Sequence, residues 1–145
     1  MHEFAVIEDA ALAALAPLRA EGVKSLDLYV GQMEAEDIGQ VTMLFPAVYV
    51  VAETLSMPEN EQVTRPTVTL TLLIGDQNLR SGRAAVRGDG TSPGVYYLLE
   101  RCRKLLHGKP IVPGWRTWRV TQETPLVYAP KKGVCIFGAI YQSRI

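Results

Sequence analysis

Apolar positions recur at two different spacings along this chain, and the change of spacing divides it into helices and strands. At the start, Phe4, Ile7, Ala11, Leu15 and Leu18 follow at intervals of three and four, which lines one face of a helix. Pro17 falls inside that pattern, so the helix is expected to kink there and to end at Gly22. The spacing then drops to two. Leu26, Leu28 and Val30 alternate with Ser25, Asp27 and Tyr29, predicting a half-buried strand stopped by Gly31. Residues 47–51 are apolar on both faces, with Pro46 at the entrance, and predict a strand inside its sheet. Residues 53–62, with their Pro58-Glu59-Asn60-Glu61 turn signal, read as a solvated loop. A third strand is expected over 67–74, closed by Gly75-Asp76.

Residues 76–91 break the rhythm. They hold few core-forming side chains, but three arginines and three glycines, and a connection this long inside a domain is a functional or a disordered one. The second helix follows, with Ser92 expected as its N-cap and Pro93 in its first position. Val95, Leu98, Leu99, Cys102, Leu105 and Leu106 form its apolar stripe, Arg103, Lys104 and His107 complement the dipole of its last turn, and Gly108 caps it. Beyond the turn-rich Pro110, Pro113 and Gly114, strand segments are predicted over 115–121 and 126–128. Another runs over 134–141 after Pro130-Lys131-Lys132-Gly133, a turn that predicts a terminal hairpin. The order αβββαβββ, with no linker, predicts one α+β domain over residues 1–145, a mostly antiparallel or mixed sheet of largely sequential strands packed with two main helices.

Composition changes this picture little. Hydrophobic residues make up 48% and charged residues 21%, an ordinary globular balance, and fifteen basic residues offset fifteen acidic ones. A net charge of zero gives no global attraction to nucleic acid or anionic membrane. Neither a signal-peptide pattern nor an apolar run of about 18 residues is present, so the expectation is a soluble protein made in the cytoplasm, with no membrane partner. Cys102 and Cys135 sit among apolar neighbours and read as two buried reduced thiols.

Candidate chemistry fails one residue type at a time. His2 lies at the terminus and His107 at a helix end, and neither shares a metal-ligand spacing with a cysteine, so no metal and no cofactor is expected. Glu34, Glu36 and Asp37, like Glu59 and Glu61, read as solvated loop carboxylates rather than an acid–base pair. Gly88-Asp89-Gly90-Thr91-Ser92 leads into a helix N-terminus, where free N–H groups attract anions, and Arg80, Arg83 and Arg87 could add contacts to a phosphate. The segment lacks the Lys-Ser/Thr of a P-loop and the dinucleotide fingerprint, so a flexible loop capped by Ser92 is favoured over a nucleotide- or phosphometabolite-binding site. The Arg87-Gly88-Asp89 triplet is too short to indicate cell adhesion. Trp115 and Trp118, three apart in a predicted strand, point to opposite faces, one to the core and one outward as an interface anchor. Their neighbours Arg116 and Arg119 suit base stacking, but interface or core fits better without a basic excess elsewhere.

Several stretches in order resemble the tail-terminator, or tail-completion, proteins of Mu-like phages and prophages. They are Leu26-Asp27-Leu28-Tyr29-Val30-Gly31-Gln32, Phe45-Pro46-Ala47-Val48-Tyr49-Val50, Gly75-Asp76-Gln77-Asn78-Leu79-Arg80, Gly94-Val95-Tyr96-Tyr97-Leu98-Leu99-Glu100 and Leu105-Leu106-His107-Gly108-Lys109. The resemblance covers nearly the whole chain. It implies a non-enzymatic structural protein, assembled in the host cytoplasm, that forms a hexameric ring at the head-proximal end of a contractile tail. Its implied partners are further copies of itself, the tail tube and sheath, the head–tail connector, and DNA in the lumen. The family lends no catalytic residues. Length and charge make Asn78, Arg80, Arg83 and Arg87 candidates for a subunit or tail interface, with Trp118 and Arg119 as a second candidate group.

Overall fold

A computed structural model describes residues 2–33, 45–57 and 66–144. Helices α1 (Glu3–Leu15) and α2 (Pro17–Ala20) meet at Ala16, so the break falls where Pro17 demands it. Gly22, at φ 104°, closes α2: its N–H donates to Arg19 O and that of Val23 to Leu18 O, satisfying two terminal carbonyls. Strands β1 (Ser25–Leu28), β2 (Ala47–Ser56) and β3 (Thr67–Gln77) follow. Then come α3 (Gly82–Arg87), α4 (Val95–Leu106), β4 (Arg119–Ala129), a 3₁₀ turn (Pro130–Lys132) and β5 (Val134–Arg144). The described strands form one mixed sheet in the order β1-β2-β3-β5-β4. The fold is α+β, as expected.

The main core lies where α1 and α4 cover one sheet face. Ile7, Ala11, Leu15 and Leu18 from the first helices and Val95, Leu98, Cys102 and Leu106 from α4 pack on Val48, Val50, Leu70, Leu72 and Ile74. A smaller cluster on the other face gathers Met33, Phe45, Ala47, Tyr49, Val134 and Ile136. This explains why β2 reads as apolar on both sides. Among the described residues, no helix is long and apolar enough to cross a membrane.

The architecture departs from the sequence reading in several places. Strand β1 pairs with β2 in parallel (Ser25 opposite Ala47), so the sheet is the mixed one of the two arrangements expected, although these two sequential strands are not antiparallel. Strand β2 continues through Glu53 to Ser56, residues assigned to a loop; a shift between Ala52 and Thr54 lets polar side chains continue the pairing with β3. The turn expected at 58–61 lies outside the described residues, as do Glu34, Glu36 and Asp37. The strand segments predicted over 115–121 and 126–128 are instead the single strand β4, which begins only at Arg119 and carries two register shifts. Trp115 precedes it. Helix α4 starts at Val95 with Gly94 as N-cap, not at Pro93 with Ser92, whose hydroxyl oxygen instead accepts from Asn78 Nδ2 at 3.1 Å. The predicted terminal hairpin is present as β4 and β5, joined across the 3₁₀ turn and Gly133.

Candidate functional site

Residues 76–94 are held by a compact hydrogen-bond network, in contrast to the flexible loop expected there. Its base is Asp76, almost wholly buried at the end of β3. Asp76 Oδ2 accepts the N–H of Gly94 and Oδ1 that of Gln77, both at 2.8 Å. Burial pushes the Asp76 carboxyl above its usual range, and those two hydrogen bonds oppose the rise. The buried Asn78 works in both directions. Its Nδ2 donates to Asp89 Oδ2 at 2.9 Å and Ser92 Oγ at 3.1 Å, while its Oδ1 accepts from the N–H groups of Arg80 and Ser81.

From that anchor the chain enters α3, absent from the sequence reading. Ser81 caps it, Oγ accepting from Ala84 N–H at 3.2 Å, and Ala84 and Ala85 bury its inner face. Asp89 closes the far side: Oδ1 accepts from the N–H groups of Thr91 and Ser92 and from the Thr91 hydroxyl. Those N–H groups hold its carboxyl below the usual range. Gly88 and Gly94, both at positive φ, lie backbone against backbone; a Cβ on Gly94 would overlap Gly88 N. Only glycine allows that approach.

The network presents Arg80, Arg83 and Arg87 outward. All three are exposed and none is paired with a carboxylate among the described residues. Arg83 and Arg87 border an open depression of about 380 Å³ with Ser81, Ala84, Gly88 and Asp89. The anion-accepting turn before α4 is already occupied by the protein's own carboxylates, since Thr91, Ser92 and Gly94 direct their N–H groups to Asp89 and Asp76.

The two other candidates lie elsewhere. Trp118 is completely buried in the main core, so it offers no outward anchor; the expectation of an exposed surface role is corrected. Arg119 is exposed at the start of β4, opposite Gln142, at the far end of the sheet from Asn78. There it lines a second, larger depression of about 840 Å³ with Arg116 and Arg144, which the sequence reading did not single out as a group. Nothing local in the sequence brings residues 116, 119 and 144 together; the β4–β5 pairing does. Asp76 and Asp89 were legible only as turn residues, through the Gly75-Asp76 and Asp89-Gly90 pairs.

Among the described residues, no three His, Cys, Asp or Glu side chains are grouped as metal ligands would be. His107 accepts the Val120 N–H on Nδ1 at 3.0 Å, which joins the end of α4 to β4. Cys102 and Cys135 are free buried thiols, pushed up by burial to about 12 and about 11. The family model described as "Bacteriophage Mu, Gp37" matches residues 3–128. No curated protein matches the chain.

Proposed function

The chain belongs to the Bacteriophage Mu Gp37 family and is a phage structural protein, and from that premise we propose that it is a tail terminator. In this reading it caps the head-proximal end of the tail tube and sheath, ends their polymerisation and offers the head connector a joining surface. The observation that carries the assembly role is the display of Arg80, Arg83 and Arg87 on a segment whose backbone is held by a hydrogen-bond network running from the buried Asp76 and Asn78 to the exposed Asp89. A preorganised set of exposed, unpaired guanidiniums binds at lower ordering cost than a mobile loop would, and guanidinium favours paired contacts to carboxylates. The rival reading, a nucleotide or phosphometabolite site before α4, has less physical basis, because Asp76 and Asp89 take the N–H groups of Thr91, Ser92 and Gly94 and place carboxylates where a phosphate would approach.

Arg80→Glu and Arg83→Glu reverse exposed charges outside the buried network, so each variant should fold normally. In a phage carrying either one, electron microscopy of the lysate should show overlong tails or tails without heads. Tails of normal length, joined to heads, in both variants would overturn the role assigned to this loop.

A further inference from the structure

Charge is balanced over the whole chain but not along it. Residues 101–122 hold six of the fifteen basic residues and no Asp or Glu. Arg101, Arg103 and Lys104 are paired with Glu21, Glu123 and Glu100. Lys109, Arg116 and Arg119 have no carboxylate partner among the described residues, and neither has Arg144. The fold gathers these four exposed cations at one end of the sheet. Trp118 N–H donates to Lys109 O at 3.1 Å, which sets Lys109 beside the residue that precedes Arg119. Arg119 lies opposite Gln142, two residues before Arg144. Arg116 N–H donates to Arg144 O at 3.0 Å, and Ser143 Oγ donates to Arg116 O at 2.7 Å. The three arginines line the larger depression of about 840 Å³, whose remaining lining is Thr, Ser, Gln and one Val, with no carboxylate and no aromatic ring.

We infer that this groove, flanked by Lys109, binds the phosphate backbone of duplex DNA. Guanidiniums, ammoniums, hydroxyls and amides are the side-chain groups that contact DNA phosphates, and guanidinium can pair with a phosphate through two N–H groups at once. Duplex DNA carries one negative charge per about 1.7 Å of its axis, so cations gathered on one surface meet several phosphates together. The backbone bonds that join Arg116 to the end of β5 fix where these side chains emerge, which lowers the cost of ordering them. The same lining disfavours other occupants. A protein segment draws its binding energy from apolar and aromatic anchors, and the groove offers it Val120 alone. A small phosphorylated ligand needs an enclosing pocket, whereas this depression is open to solvent. With no aromatic ring to stack on, the contact is to phosphates rather than bases and is independent of DNA sequence. DNA binding in solution does not depend on tail termination, so either can fail without the other.

The test is fluorescence anisotropy of a fluorescein-labelled DNA duplex of about 20 base pairs, titrated with the purified full chain at several salt concentrations, with circular dichroism to verify that each variant folds. The wild type should bind with a Kd on the order of 10 µM at low salt, and log K should fall against log[salt] with a slope of about −3, one phosphate for each groove arginine. Arg119→Gln should reduce the size of that slope by about one, and Arg116→Gln/Arg119→Gln/Arg144→Gln should weaken binding about tenfold or more. Lys24→Gln/Lys131→Gln removes exposed charge outside the groove and should bind as the wild type does. Absence of binding at low salt would overturn the proposal. So would a triple variant that binds like the wild type, or a Lys24→Gln/Lys131→Gln variant that loses as much as the triple one. Poly-L-glutamate bound more tightly than the duplex at equal salt would assign the groove to an acidic protein segment instead.

Discussion

The Tyr141 hydroxyl and the Trp118 indole N–H are buried without a hydrogen-bond partner among the described residues, while both rings belong to the main core. The rings contribute large apolar area, but each unpartnered polar atom costs about 1–3 kcal/mol of desolvation. Burial also pushes the Tyr141 hydroxyl far above its usual pKa, so it stays neutral. Removing that oxygen alone should therefore help the fold. Tyr141→Phe is expected to raise Tm by roughly 2–4 °C, corresponding to about 1 kcal/mol in a chain of this size. A lower Tm on thermal unfolding would show that the hydroxyl has a partner after all. The cysteines illustrate how much a single residue discloses in sequence: apolar neighbours were enough to read Cys102 and Cys135 as buried thiols. Trp118 could be read as inward or outward, because its direction depends on where β4 starts, and β4 starts one residue later.

Among the elements, those with a dense apolar period were legible and those held by polar side chains were not. The stripe of α4 and the alternation of β1 are one-dimensional patterns that survive folding unchanged. Helix α3 has six residues and no stripe; its only local signal is Ser81 followed by two alanines, and its stability comes from Asn78 and Asp89 on either side. Pairing direction was equally hidden, since β1 is parallel to β2 because of where the chain crosses, not because of what β1 contains. The polar origin of the α3 segment makes it sensitive to acid. The Asp89 carboxyl is held below its ordinary 3.8 by the Thr91 and Ser92 N–H groups. A depressed carboxyl contributes stability that is present above its free value and lost as pH falls through the lowered folded value. Hydrogen exchange at Thr91 and Ser92 should thus lose protection, after correction for intrinsic rate, when pH drops from about 5 toward about 2. Protection that persists at the low end would mean the carboxylate does not hold the turn.

At the scale of the molecule, β3 and β5 act as a spacer. Their eleven paired residues separate the Arg80–Arg87 segment from the Arg116–Arg119–Arg144 groove by roughly 35 Å at strand rise. Basic surfaces at both ends of the sheet give the molecule two separate places for polar contact, which suits a phage structural protein. The α+β class and the Mu phage family were both legible in sequence, carried by apolar spacing and by short ordered stretches such as Gly75-Asp76-Gln77-Asn78-Leu79-Arg80. The second basic surface was not, because its arginines come from the approach to β4, its first residue and the end of β5. Termination of tail growth is the central claim, and deleting the gene from a phage that carries it tests that claim most directly. Electron microscopy of the deletion lysate should show tails of uncontrolled length that carry no head, and the intact gene supplied in trans should restore tails of uniform length joined to heads. Uniform, head-joined tails without the gene would contradict the account.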